Sequence, residues 1–148
     1  MNLEQFLQLF NPYPGNHYLQ VCTCEDEITK ELRTMMDSVN GELSVVLYND
    51  DNLDFSKAFR ALPRSHDIVI LQDIFHKHDN QKMILNLAYH TLANTADVII
   101  MEKKGVMDIE AIKALLEEFE FRAPNDIDIV EGYDLVMAKK MHMWGNGL

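Results

Sequence analysis

The densest grouping of reactive side chains is Asp73, His76, His78 and Asp79, within LQDIFHKHDN. Two imidazoles and two carboxylates are donor types that suit zinc or another first-row metal. A metal centre draws three or four converging ligands with supporting hydrogen bonds, and H-x-H beside aspartate recurs by chance. The competing expectation is a helix cap from His78 or Asp79 and an exposed or packed His76, with no metal bound. A metal-dependent hydrolase-like activity on this loop would need further ligands from elsewhere, and the sequence singles out none.

Cys22 and Cys24 form a second grouping, in VCTCEDE. Thiols one residue apart are too close for an ordinary disulfide, and the acids that follow raise a thiol's pKa, which disfavours a reactive thiolate. Small buried side chains at a strand end are the expectation. The third grouping is Asp50 and Asp51, in LYNDDN at the end of an apolar run.

The elements that carry these residues alternate. Leu3, Phe6, Leu7 and Phe10 follow helical spacing, and NPYPGN ends that short helix. We expect it to pack over its own sheet, with dimerisation through Phe6 and Phe10 as the alternative. Tyr18 to Val21 reads as a strand, and Thr23 as the N-cap of a helix that ends near Asn40 and Gly41. Leu43 to Leu47 is a continuous apolar run, as expected of a strand covered on both faces.

After FSKAF and Pro63, the segment DIVIL (Asp67 to Leu71) predicts another buried strand, with Ile84, Leu87, Ala88 and Thr91 along the helix after it. DVIIM (Asp97 to Met101) predicts the next strand, then a helix capped by Asp108 with Ile109, Ile112, Leu116 and Phe119 at helical spacing. Ile127 to Val130 and Tyr133 to Ala138 are too close for a helical crossover and so should pair antiparallel. The methionines read as gap-fillers in apolar runs. This order predicts an α/β fold, a doubly wound Rossmann-like and mostly parallel sheet closed by a C-terminal antiparallel β-hairpin.

The chain of 148 residues suits one compact domain spanning 1–148, with a helix and turn over 1–14 and a tail over 141–148. With 24 acidic against 13 basic residues the formal charge is −11, which repels nucleic acid and anionic lipid. No apolar run is long enough to span a bilayer, and the amino terminus lacks a signal peptide's features, so a cytoplasmic location is expected. A protein partner or a homodimer is compatible with the composition, and Trp144 in the tail is an aromatic that could anchor one.

The element order resembles that of the class I S-adenosylmethionine-dependent methyltransferases over about His17 to Lys140. SHDIVILQDIFHKHD is similar to the family's fourth-strand segment, with Asp67 opening the strand and His76 in the loop. LANTADVIIMEKKG looks like the fifth strand, and LLEEFEFRAPNDIDIVEGYDLVMAKKM like the closing helix and hairpin. The family's acid and glycine-rich turn after the first strand fall on Gln20, Cys22, Cys24 and Asp26, so every signature position is changed. Those glycines allow special dihedrals and a close approach of the ligand to the main chain. Here thiols and a carboxylate stand in that volume, and Glu25, Asp26 and Glu27 oppose an anion at the helix N-terminus.

The resemblance implies two readings. In the first, the chain is a methyltransferase-like protein that has lost S-adenosylmethionine binding, needs no cofactor, and serves as a non-catalytic binding or regulatory module. In the second, it is an active methyltransferase with a divergent turn. Cys22, Cys24, Asp50 and Asp51 would then contact S-adenosylmethionine, the aspartates on its ribose, and Asp73 or His76 would act as general base.

Overall fold

The structure is a computed structural model that describes residues 2–48, 65–77 and 80–141. FSKAF, Asp50, Asp51, His78, Asp79 and Trp144 lie outside the described residues. In chain order the elements are α1 (Glu4–Leu7), β1 (His17–Cys22), α2 (Glu27–Ser38), β2 (Glu42–Leu47), β3 (His66–Gln72), α3 (Gln81–Thr91), β4 (Leu92–Lys103), α4 (Ile109–Glu118), β5 (Phe121–Ile127) and β6 (Tyr133–Lys140). The strands form one six-stranded sheet in the order β2-β1-β3-β4-β6-β5. β1 pairs in parallel with β2 and β3, and β3 with β4, while β6 runs antiparallel to both β4 and β5. The predicted doubly wound sheet with its closing hairpin is therefore present.

Each face of the sheet has its own core. Leu19, Val21, Val69, Leu71, Val98 and Ile100 pack with α3 and α4 residues such as Leu85 and Leu116. Tyr18, Ile68, Ile70, Ile99 and Met101 pack on the opposite face with Ile28, Leu32 and Met36 of α2 and with Phe6 and Phe10. The period-two alternation of strand side chains produces this division, because neighbours along β1 or β3 point to opposite faces. Phe6 is 0% and Phe10 is 7% exposed, so both rings are spent inside their own chain, 5.1 Å apart and edge to face. That is the expected packing of α1 over its own sheet.

Several local expectations change. The N-cap of α2 is Asp26, not Thr23: its carboxylate accepts from the N–H groups of Ile28 and Thr29, and Thr29 Oγ1 returns a contact to the Asp26 N–H. The bend at Thr23 and Cys24 carries the chain away from β1 before the helix can start. Only Glu27 of the three acids lies in the first turn, and Glu25 instead pairs with Arg33 at 2.7 Å. Asn80 caps α3, its side chain accepting from the Met83 N–H. On α3 it is Leu85, with Ile84, Ala88 and Thr91, that is fully buried. β2 is half-buried along its centre rather than covered on both faces, and β5 begins at Phe121, ahead of the expected Ile127. Asp108 does cap α4, accepting from Ala111.

Candidate functional site

Parallel strands that leave their neighbours in opposite directions open a crevice at their carboxyl ends. In this sheet the reversal lies between β1, which leads to β2 on one side, and β3, which leads to β4 on the other. A cleft of about 270 Å³ opens there, and its walls include Cys24, Asp26, Asp73, His76 and Tyr133.

A chain of polar groups crosses the floor. Gln20 stands opposite Ile70 in the β1–β3 register, and Gln72, two residues on, shares its face. Gln20 Nε2 donates to Gln72 Oε1 at 2.7 Å, and Gln72 Nε2 donates to Asp26 Oδ2 at 2.8 Å. Both glutamines are buried, at 0% and 2% exposure, so these bonds replace water that neither amide can reach. Asp26 thus serves two masters at once: Oδ1 caps α2 and Oδ2 holds the end of β3.

The chain continues into the hairpin. Lys103 and Tyr133 are register partners across β4 and β6, and Lys103 Nζ donates to the Tyr133 hydroxyl at 2.9 Å. That hydroxyl donates to Asp73 Oδ2 at 2.7 Å. Burial holds the Tyr133 phenol above its ordinary pKa, so it stays a neutral donor. Asp73 has φ 58°, a left-handed conformation that aspartate tolerates better than most residues, and its N–H donates to Met101 O at 2.9 Å. The turn aims its carboxylate at the hairpin.

His76 belongs to a different pair. Its Nδ1 meets the carboxylate of Glu102, and its N–H donates to Glu102 Oε1 at 3.1 Å. Glu102 is wholly buried, and that burial raises its carboxyl pKa above the usual range while the contacts with His76 oppose the rise. An imidazole oriented by a buried carboxylate at one nitrogen, with the other left to the cleft, is the arrangement of a positioned proton acceptor.

Asp73 and His76 therefore line one cleft but answer to different partners, Tyr133 and Glu102. No group of three or more metal-ligating side chains exists among the described residues. Cys22 is buried and its thiol pKa is pushed up to about 11, first by burial and then by the charge of Asp26. Cys24 is exposed, contrary to the expectation of two buried thiols, because the bend that follows β1 turns it outward. Gln20, Gln72, Glu102, Lys103 and Tyr133 had not been singled out as site residues in advance. The signal in the sequence is a glutamine within one apolar run, Gln20, and another closing a second, Gln72.

Comparison with solved structures fits this architecture. An S-adenosylmethionine-dependent methyltransferase of Aquifex aeolicus aligns with a TM-score of 0.71 at 13% identity, covering 92% of this chain and 88% of its own. The chain has a methyltransferase-like fold. A second S-adenosylmethionine-dependent methyltransferase, from Archaeoglobus fulgidus, gives a TM-score of 0.67 at 13% identity, with 93% and 91% covered. The CMeT domain of the citrinin polyketide synthase gives 0.69 at 11% identity over 95% of this chain, which spans only half (50%) of that larger structure. No protein-family model matches the sequence, and no curated protein matches it.

Within the methyltransferase-like fold, the four positions aligned with the family's glycine-rich signature now have definite surroundings. Gln20 is bound to Gln72, Cys22 is buried, Cys24 borders the cleft and Asp26 caps α2. Between Cys22 and Asp26 no residue takes a positive φ, so this turn reaches the helix by a path that does not require glycine.

Proposed function

We propose that this methyltransferase-like protein does not hold S-adenosylmethionine and works as a non-catalytic binding or regulatory module. One observation carries the reading: the Asp26 carboxylate occupies the N-terminal N–H groups of α2 and is itself tied to Gln72 across the crevice. A helix N-terminus attracts anions because its first N–H groups lack partners. Here a side chain of the same chain supplies both the charge and the acceptor, and an incoming carboxylate would have to displace it.

The active reading draws support from the cleft beside His76 and Asp73 and from neighbours described as S-adenosylmethionine-dependent enzymes. If the chain were catalytic, His76 would be the stronger candidate for general base, since Asp73 already accepts the Tyr133 proton. Asp50 and Asp51, proposed on that reading to meet the ribose, lie outside the described residues. A protein partner or second copy in the cytoplasm is the target we assign to the non-catalytic module. The formal charge of −11 favours a partner surface that is basic.

Calorimetric titration with S-adenosylmethionine and S-adenosylhomocysteine tests the choice. The proposal expects no saturable heat from either. Micromolar binding of one of them would transfer the conclusion to the enzyme.

A further inference from the structure

A second cleft, of about 290 Å³, lies at the opposite end of the strands, under the segment that joins α1 to β1. Its origin is a register fault. β3 advances from His66 to Ile68 while its partner β4 advances from Leu92 to Asp97, so the intervening residues of β4 bulge outward and form one wall. Thr95 sits in that bulge with φ 70°. Such bulges redirect side chains and end regular pairing, and they recur beside functional sites.

The floor of the cleft is Tyr18, the second residue of β1. Tyr18 is only 3% exposed, and its hydroxyl, which makes no hydrogen bond among the described residues, is open to the cleft that the residue lines. The ring packs near Phe10, with centroids 5.7 Å apart, and Tyr13 at the rim is 63% exposed, the most exposed large hydrophobic side chain among the described residues.

Two carboxylates border the same cleft. Asp67 uses Oδ2 to accept from the His17 N–H at 2.9 Å and from Asn16 Nδ2 at 3.3 Å, and its Oδ1 has no partner among the described residues. Asp97 pairs with Lys139 at 3.3 Å, and Lys139 also donates to Thr95 O at 3.0 Å. One of the two negative charges is thus balanced and the other is not. Burial and the nearby charges of Asp67 and Asp97 push the Tyr18 phenol up to about 12, so at neutral pH its oxygen is an uncharged acceptor.

We propose that this cleft binds a small organic cation, an alkylammonium or guanidinium group, with its N–H groups on Tyr18 and Asp67 and its carbon skeleton against Tyr13 and Phe10. Aromatic faces and an unbalanced carboxylate together suit a cation with apolar bulk, and suit an anion or a neutral alcohol poorly. The site is at the far end of the sheet from the Asp26 crevice and does not depend on whether that crevice holds a cofactor.

The test is a titration of the full chain, followed by backbone amide NMR, with agmatine and pentylammonium as probes and 1-pentanol as the neutral control. Saturable shifts at Tyr13, Tyr18, Asp67 and Asp97, absent with pentanol, are expected. Tyr18→Phe keeps the ring and removes the acceptor, and should weaken agmatine about tenfold. Asp97→Asn, read against an unchanged far-UV spectrum, provides a second variant and should weaken agmatine, by less than the Tyr18 change, since Lys139 already balances that charge; tighter agmatine binding in that variant would count against the site. Equal binding of pentanol, shifts centred on another face, no saturable shifts at all, or full agmatine affinity in folded Tyr18→Phe would overturn the proposal.

Discussion

Gln72 donates its side-chain amide to Asp26 across the carboxyl ends of β1 and β3, at 2.8 Å. This contact joins the end of one strand to the start of the helix that follows another, over the crevice where doubly wound folds place their ligands. It uses side chains to close what a glycine-rich turn would leave open.

Removal of the bridge should be felt as lost stability. Asp26→Ala deprives α2 of its cap and leaves the buried Gln72 amide only its longer bond to the Tyr133 hydroxyl, at 3.4 Å, a cost of about 2 kcal/mol. Asp26→Asn keeps an acceptor oxygen and should cost less than half of that. Urea denaturation of the two variants against the parent chain measures the difference.

The His76–Glu102 pair gives a second prediction. His76→Ala removes the imidazole from a fully buried carboxylate and leaves it only the residue-76 backbone N–H, and the expected loss at neutral pH is about 2 kcal/mol. The folded-state pKa of Glu102 is raised by burial. A group raised in the fold binds its proton more tightly there than when unfolded, so the His76→Ala chain should regain stability as pH falls toward the usual glutamate range. Adding Glu102→Gln should recover part of the loss at neutral pH. Denaturant midpoints across pH provide the check.

His66 predicts the opposite slope. It is 3% exposed, its ring lies 4.3 Å from that of His17, and burial, then the charge of His17, lowers its pKa to about 4. The unfolded chain takes up this proton near the ordinary histidine value of 6.5 while the folded chain resists it until about 4. Stability contributed by neutral His66 is therefore complete above the higher value and drains away as pH falls between the two, by about 3 kcal/mol in all. His66→Gln should flatten the stability profile in that window, measured by thermal unfolding.

How far the sequence announced these features depends on the range of the interactions involved. The β/α alternation was legible because apolar runs and helical spacing are local patterns, and Asp108 was legible as a cap because it directly precedes its helix. The capping role of Asp26 was not, since Thr23 fits the local pattern equally well and only the course of the chain after β1 decides between them. Glu102 follows DVIIM and looks like the charged exit of a strand. Its partner is His76, a contact between distant segments. Gln20 interrupts an apolar strand, which marks it as unusual, and Gln72 ends one, but their mutual bond needs the β1–β3 register to be seen. The bulge behind the second cleft left no trace that LANTADVII could show on its own, because it is a mismatch between two strands.

The thiols provide a further prediction. Cys22 is buried with its pKa raised to about 11, and Cys24 is exposed. Iodoacetamide at neutral pH should label Cys24 in the native chain and reach Cys22 only under denaturing conditions, because alkylation needs an accessible thiolate. Peptide mass spectrometry after labelling distinguishes the two sites, and Cys24→Ser should leave the native chain unlabelled.

The most direct test of the closed crevice is to follow the backbone amides of residues 22–29 by NMR while S-adenosylhomocysteine is added. If Asp26 keeps its hold on Ile28, Thr29 and Gln72, those signals stay where they are at every concentration of the nucleoside. Saturable movement of the same signals, with the Gln72 side-chain amide released from Asp26, would contradict the account.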